Sequence, residues 1–80
     1  MVQFYCLKIK TSTGNSVDMK SLYGVLNQYG NIEKIELFNN IRGYYYIVYY
    51  NDKSSLEKAN YFLNGTEIKD LNEKLYTSTN

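Results

Sequence analysis

The stretch Ile41-Arg42-Gly43-Tyr44-Tyr45-Tyr46-Ile47-Val48-Tyr49-Tyr50 holds five of the ten tyrosines of this 80-residue chain. β-Branched and aromatic residues suit a pleated surface, so residues 41–50 are predicted to form one strand. Strand side chains alternate sides, which divides the run into Tyr45, Ile47 and Tyr49 on one face and Tyr44, Tyr46, Val48 and Tyr50 on the other. Tyrosine has an apolar body and a polar tip and serves either as core or as a contact surface. Ile47 is purely apolar; placing it inward takes Tyr45 and Tyr49 with it and displays Tyr44, Tyr46 and Tyr50. The opposite phase buries three tyrosines and exposes the isoleucine.

Working outward, QFYCLKIK at 3–10 is β-prone, with Leu7 and Ile9 on one side and Lys8 and Lys10 on the other. TSTGNS at 11–16 is a loop by composition. Asp18 is a candidate N-cap for a helix over 19–28, with Met19, Leu22, Val25, Leu26 and Tyr29 as its apolar stripe and Gly30 as its stop. Asn31 to Phe38 alternates as a second strand, and Asn39-Asn40 is a turn signal. Asp52 or Ser54 caps a helix over 54–63 whose inward residues are Leu56, Ala59, Phe62 and Leu63. A last strand at 73–78 turns Leu75 inward.

The predicted order is β-α-β-β-α-β, an α+β, ferredoxin-like arrangement: a four-stranded antiparallel sheet with two helices on one face, forming one domain over 1–80. The other face is open. By the same alternation Phe38 and Tyr76 lie on it, with Phe4, Cys6, Lys8 and Lys10 if Leu7 and Ile9 point inward. A solvated sheet face ordinarily carries threonine, lysine and glutamate, so clustered aromatics there mark a binding surface.

Composition narrows the chemistry. The formal charge is +1, so attraction for polyanions must come from local placement and stacking and not from a broad positive field. The chain has one cysteine and no histidine, which leaves no zinc cluster and removes the commonest general base. No catalytic constellation is evident. A copper carrier of this topology would need a second cysteine in the first loop, and an acylphosphatase-like enzyme an arginine there, but the only arginine is Arg42. Neither a cofactor nor a small-molecule substrate is expected. No apolar run approaches the roughly 20 residues that cross a membrane, and the expected compartment is nuclear or cytoplasmic.

Arg42-Gly43-Tyr44-Tyr45-Tyr46-Ile47-Val48-Tyr49 is similar to the longer ribonucleoprotein consensus, K/R-G-F/Y-G/A-F-V-x-F/Y. LYGVLNQYGNIEKIEL at 22–37 looks like the first helix and second strand of the same family, and Ala59 with Leu63-Asn64-Gly65 like its second helix and closing turn. From about Phe4 to Thr77 the chain therefore resembles the RNA recognition motif. The resemblance implies binding of single-stranded RNA, with the third and fifth positions of the signature, Tyr44 and Tyr46, stacking on bases and the first, Arg42, contacting phosphate or sugar. Lys8 and Lys10 would hold backbone. Phe4, Phe38, Tyr50 and Tyr76 complete the expected surface. The chain departs from the pattern at Tyr45, where the family usually has Gly or Ala. In the shorter signature of the first strand, either Phe4 or Lys8 fills the aromatic position. The alternative is a protein-interaction or homodimerisation module that uses the sheet or the helical face.

Overall fold

The computed structural model describes residues 5–79. Strand β1 (Tyr5–Thr11) leads to helix α1 (Met19–Leu26), which tightens into a 3-10 turn over Asn27–Tyr29. The hairpin of β2 (Ile32–Asn40) and β3 (Gly43–Tyr50) follows, then α2 (Lys53–Leu63), β4 (Thr66–Ile68) and β5 (Glu73–Thr79). The sheet order is β2-β3-β1-β5-β4, and every neighbouring pair is antiparallel. This is the ferredoxin-like arrangement with five strands instead of the expected four. The addition is the short β4, which folds back on β5.

Both helices start where the sequence signals. The Asp18 carboxylate accepts from the Ser21 backbone N–H at 3.0 Å, and Asp52 accepts from the Ser55 backbone N–H at 3.0 Å and from its hydroxyl at 2.7 Å. Each satisfies donors that a helix N-terminus leaves unpaired. The two serine contacts hold the Asp52 carboxyl below the usual carboxylate range. Leu22, Val25 and Leu26 from α1 and Leu56, Ala59 and Leu63 from α2 are buried against Leu7, Ile9, Val48 and Leu75 of the sheet. Met19 and Phe62, expected in those stripes, are exposed. The Phe62 ring lies across the Tyr29 ring at 5.9 Å.

The β2–β3 turn is displaced from the expected Asn39-Asn40. Asn40 pairs with Gly43, which leaves Ile41-Arg42 as the two-residue loop, and the Asn40 side chain accepts from the Arg42 N–H at 2.8 Å. The hairpin tip rests on the β1–α1 loop. The Tyr44 N–H donates to the Gly14 carbonyl at 2.9 Å. Gly43 has φ +120° there, and a Cβ on it would lie 2.5 Å from the Gly14 oxygen, so glycine is required for the approach.

The phase of β3 is the reverse of the expected one. Tyr46 is 1% exposed and Tyr50 0%, both under the helices with Val48, whereas Tyr45, Ile47 and Tyr49 lie on the open face. Residues directly opposite in a ladder share a face. β1 is unambiguous, because Leu7 and Ile9 can be buried while Lys8 and Lys10 cannot. The register sets Leu7 opposite Val48 and Ile9 opposite Tyr46, which draws the even-numbered set inward.

The buried phenols are satisfied, which removes the objection to burying them. The Tyr46 hydroxyl accepts from the Val17 N–H at 2.9 Å and donates to the Val17 carbonyl at 3.1 Å. The Tyr50 hydroxyl donates to the Leu26 carbonyl at 2.8 Å, one of the last carbonyls of α1. Burial holds the Tyr50 phenol well above its ordinary range. These two tyrosines tie the helical layer to the sheet.

Candidate nucleic-acid interface

Ladder partners arrange the open face in three rows across the strands. Phe38, Tyr45, Lys10 and Tyr76 form the row next to the hairpin tip. Glu36, Ile47, Lys8 and Ser78 form the middle row, and Lys34, Tyr49 and Cys6 the third. The rings are thus split into two rows about 13 Å apart along β3, at the usual rise of a strand, with an aliphatic and a cationic side chain between them.

Each open-face tyrosine carries a lysine. The Lys8 ammonium lies 4.7 Å from the Tyr45 ring centroid, Lys34 4.8 Å from Tyr49, and Lys74 5.6 Å from Tyr76. Cations are drawn to the negative face of an aromatic ring. Phe38 stacks on Tyr45 at 5.3 Å with 16° between the planes. The Tyr49 hydroxyl donates to the Glu36 carboxylate. That hydrogen bond, aided by partial burial and the negative charge of Glu36, pushes the phenol up to about 12. Phe38 and Tyr76 are 39% and 47% exposed. Their flat surfaces reach solvent.

Of the residues expected at the interface, Lys8, Lys10, Phe38 and Tyr76 stand on the open face. Tyr46 and Tyr50 do not. They are core, and stacking on bases is closed to them. Tyr44 shares their side of the pleat but is 40% exposed, against the loop of Gly14. It lines a small cleft with Lys10, Gly14, Arg42 and Tyr45. Arg42 is in the turn, exposed. Phe4 lies outside the described residues, and Lys8 stands on the open face opposite Ile47. The open-face residues not expected there were Tyr45 and Tyr49, with Lys34 and Lys74 beside the open-face rings. The lysines of β1 fix the phase of β3 only through the register of the two strands, which pairing in the folded sheet supplies.

Among the described residues no group of three or more His, Cys, Asp or Glu is placed to hold a metal ion, and no helix is long and apolar enough to cross a membrane.

A ferredoxin-like sheet with helices on one side and an open face of tyrosines and lysines defines a class of small α+β domain. Residues 14–73 match the model of the RNA recognition motif, and the chain belongs to that family. Its fold is similar to that of RNA recognition domains 1 and 2 of Sex-lethal from Drosophila melanogaster, at 22% identity and TM-score 0.68, covering 92% of this chain and 48% of that one. It spans about half the length of that structure. It is also similar to the RRM3 domain of Pes4, at 22% identity and TM-score 0.75, covering 94% of this chain and 89% of that one. The RRM of Rna15 with bound RNA (GU) matches at 14% identity and TM-score 0.71, covering 94% of this chain and 81% of that one. Comparison with curated protein sequences yields no match.

Proposed function

We propose that the domain binds single-stranded RNA on the open sheet face, as a module of a protein acting in RNA processing or mRNA regulation in the nucleus or cytoplasm. Tyr45, Tyr49 and Tyr76, with Phe38 beside Tyr45, offer π-surfaces to unpaired bases. Lys8 between the two ring rows and Lys10 in the row nearest the hairpin tip meet the backbone, and Arg42 reaches it from the tip. The observation that carries this reading is the alternation of rings and ammonium groups on the one face that no helix covers, in a chain of this family. Aromatic stacking contributes ~1–3 kcal/mol per base and tolerates any sequence.

Titration with randomised six-nucleotide RNA, read by backbone amide shifts, tests the assignment. Shifts should concentrate on β1, β3 and β5. Tyr45→Ala combined with Tyr49→Ala should weaken binding by at least about thirtyfold with the fold retained, at ~1–3 kcal/mol for each ring. Unshifted amides on β1 and β3 at millimolar RNA would refute it. They would favour instead a protein partner on the helical face, where Tyr61 is 79% exposed and meets Phe62 edge-on at 5.1 Å.

A further inference from the structure

The Tyr45 ring of the proposed stacking surface is already covered. Phe38 reaches Tyr45 from β2 and Lys8 reaches it from β1, and β3 runs between those strands. Phe38 and Lys8 therefore approach Tyr45 from opposite flanks. A nucleobase and an ammonium group cannot lie on the same ring face, so stacking on Tyr45 requires one of the two to leave.

The partners of the covering lysines single out which one moves. Lys34, over Tyr49, is also 3.8 Å from the Glu36 carboxylate, which itself accepts from Tyr49. That corner is tied together. Lys8 stands opposite Ile47 and beside Ser78, and among the described residues no carboxylate lies within ion-pair distance of it. Among the described residues its charge is held only by the ring.

We propose that Lys8 is an exchangeable cover on Tyr45: an incoming nucleobase displaces the ammonium from the ring, and the freed ammonium pairs with a phosphate of the same strand. The inference rests on the RNA-binding reading of this face. Lys8 then opposes binding through the ring contact and favours it through the phosphate. The ring contact is weakly salt-dependent at this short range. The phosphate contact weakens as salt rises, because it works by counterion release.

Two measurements decide it. Lys8→Thr leaves a side chain too short to reach the ring. In the variant, the slope of log K against log salt for a six-nucleotide RNA should become shallower by about 0.7, one single-strand phosphate contact. The variant should bind more weakly at low salt and equal or exceed the parent at high salt, by up to about two- to fivefold, the size of an exposed cation–π contact. Lys8→Arg, which keeps both contacts, should restore the parental slope. In the second measurement, the Lys8 side-chain ε-methylene protons of the free domain should resonate upfield, shielded by the Tyr45 ring, and move downfield on saturation with RNA.

Amide shifts on β1 and β3 with the Lys8 methylene still upfield would overturn the exchange alone, as would an unchanged salt slope in Lys8→Thr. Absence of any amide shift would overturn RNA binding itself and the exchange with it.

Discussion

Replacing Tyr46 with phenylalanine isolates the interaction that sets the phase of the sheet. The ring stays in place and no cavity forms; only the hydroxyl goes. With it go a hydrogen bond accepted from the Val17 N–H at 2.9 Å and one donated to the Val17 carbonyl at 3.1 Å. Each such bond contributes ~0.5–1.5 kcal/mol net. Val17 is only half-buried and can recover some hydration, so the expected loss is in the lower part of the summed range, ~1–2 kcal/mol. For a domain of this size that lowers the melting midpoint by about 4–8 °C for every kcal/mol. Urea unfolding followed by circular dichroism should show a lower midpoint at unchanged slope, the signature of lost stability without a change in the surface exposed. Tyr45→Phe is the control. Among the described residues the Tyr45 hydroxyl has no hydrogen-bond partner, and its removal should change stability by less than ~0.5 kcal/mol. RNA affinity of Tyr46→Phe, measured below its midpoint, should stay within about twofold of the parent. Equal stability of the two variants would refute the role of the Tyr46 hydroxyl, and a larger loss for Tyr45→Phe would place the odd-numbered rings in the core.

Two further outcomes follow from the backbone. Gly43→Ala places a Cβ 2.5 Å from the Gly14 carbonyl oxygen at φ +120°; backbone strain of this kind costs ~1–3 kcal/mol, to be read as a lower thermal midpoint, with amide shifts confined to the hairpin tip and the β1–α1 loop. The Asp52 carboxyl is held below its ordinary range by Ser55. A depressed folded-state value means that the stabilisation is complete above the unfolded carboxylate range and is lost as pH falls through the lower folded value. Asp52→Asn, which keeps a capping oxygen but cannot ionise, should therefore flatten the acid limb of a stability–pH curve below the ordinary carboxylate range; an unaltered acid limb would rule out Asp52 as its source.

Much of the architecture was legible in the chain. The caps at Asp18 and Asp52, the stripes Leu22-Val25-Leu26 and Leu56-Ala59-Leu63, and the alternation of Leu7 and Ile9 with lysines are local signals, each set by residues within a turn or two. They were enough to order the elements and to place Lys8, Lys10, Phe38 and Tyr76 on the open face. β4 was not visible, because three residues, Thr66-Glu67-Ile68, form a strand only through pairing with Glu73–Leu75.

The phase of β3 was beyond local reading for a chemical reason. A strand whose two faces are Tyr-Ile-Tyr and Tyr-Val-Tyr has nearly equal apolar content on both, so its own pattern does not select an inward side. The choice fell to the ladder with β1, where burying a lysine is prohibitive, and to the two backbone sites, Val17 and Leu26, that meet the Tyr46 and Tyr50 hydroxyls. The chain alone determined a ferredoxin-like domain of the RNA recognition motif kind with tyrosines to spare. Only tertiary pairing decided which of them face the solvent, because an amphipathic ring is core or contact surface according to whether its hydroxyl finds a partner.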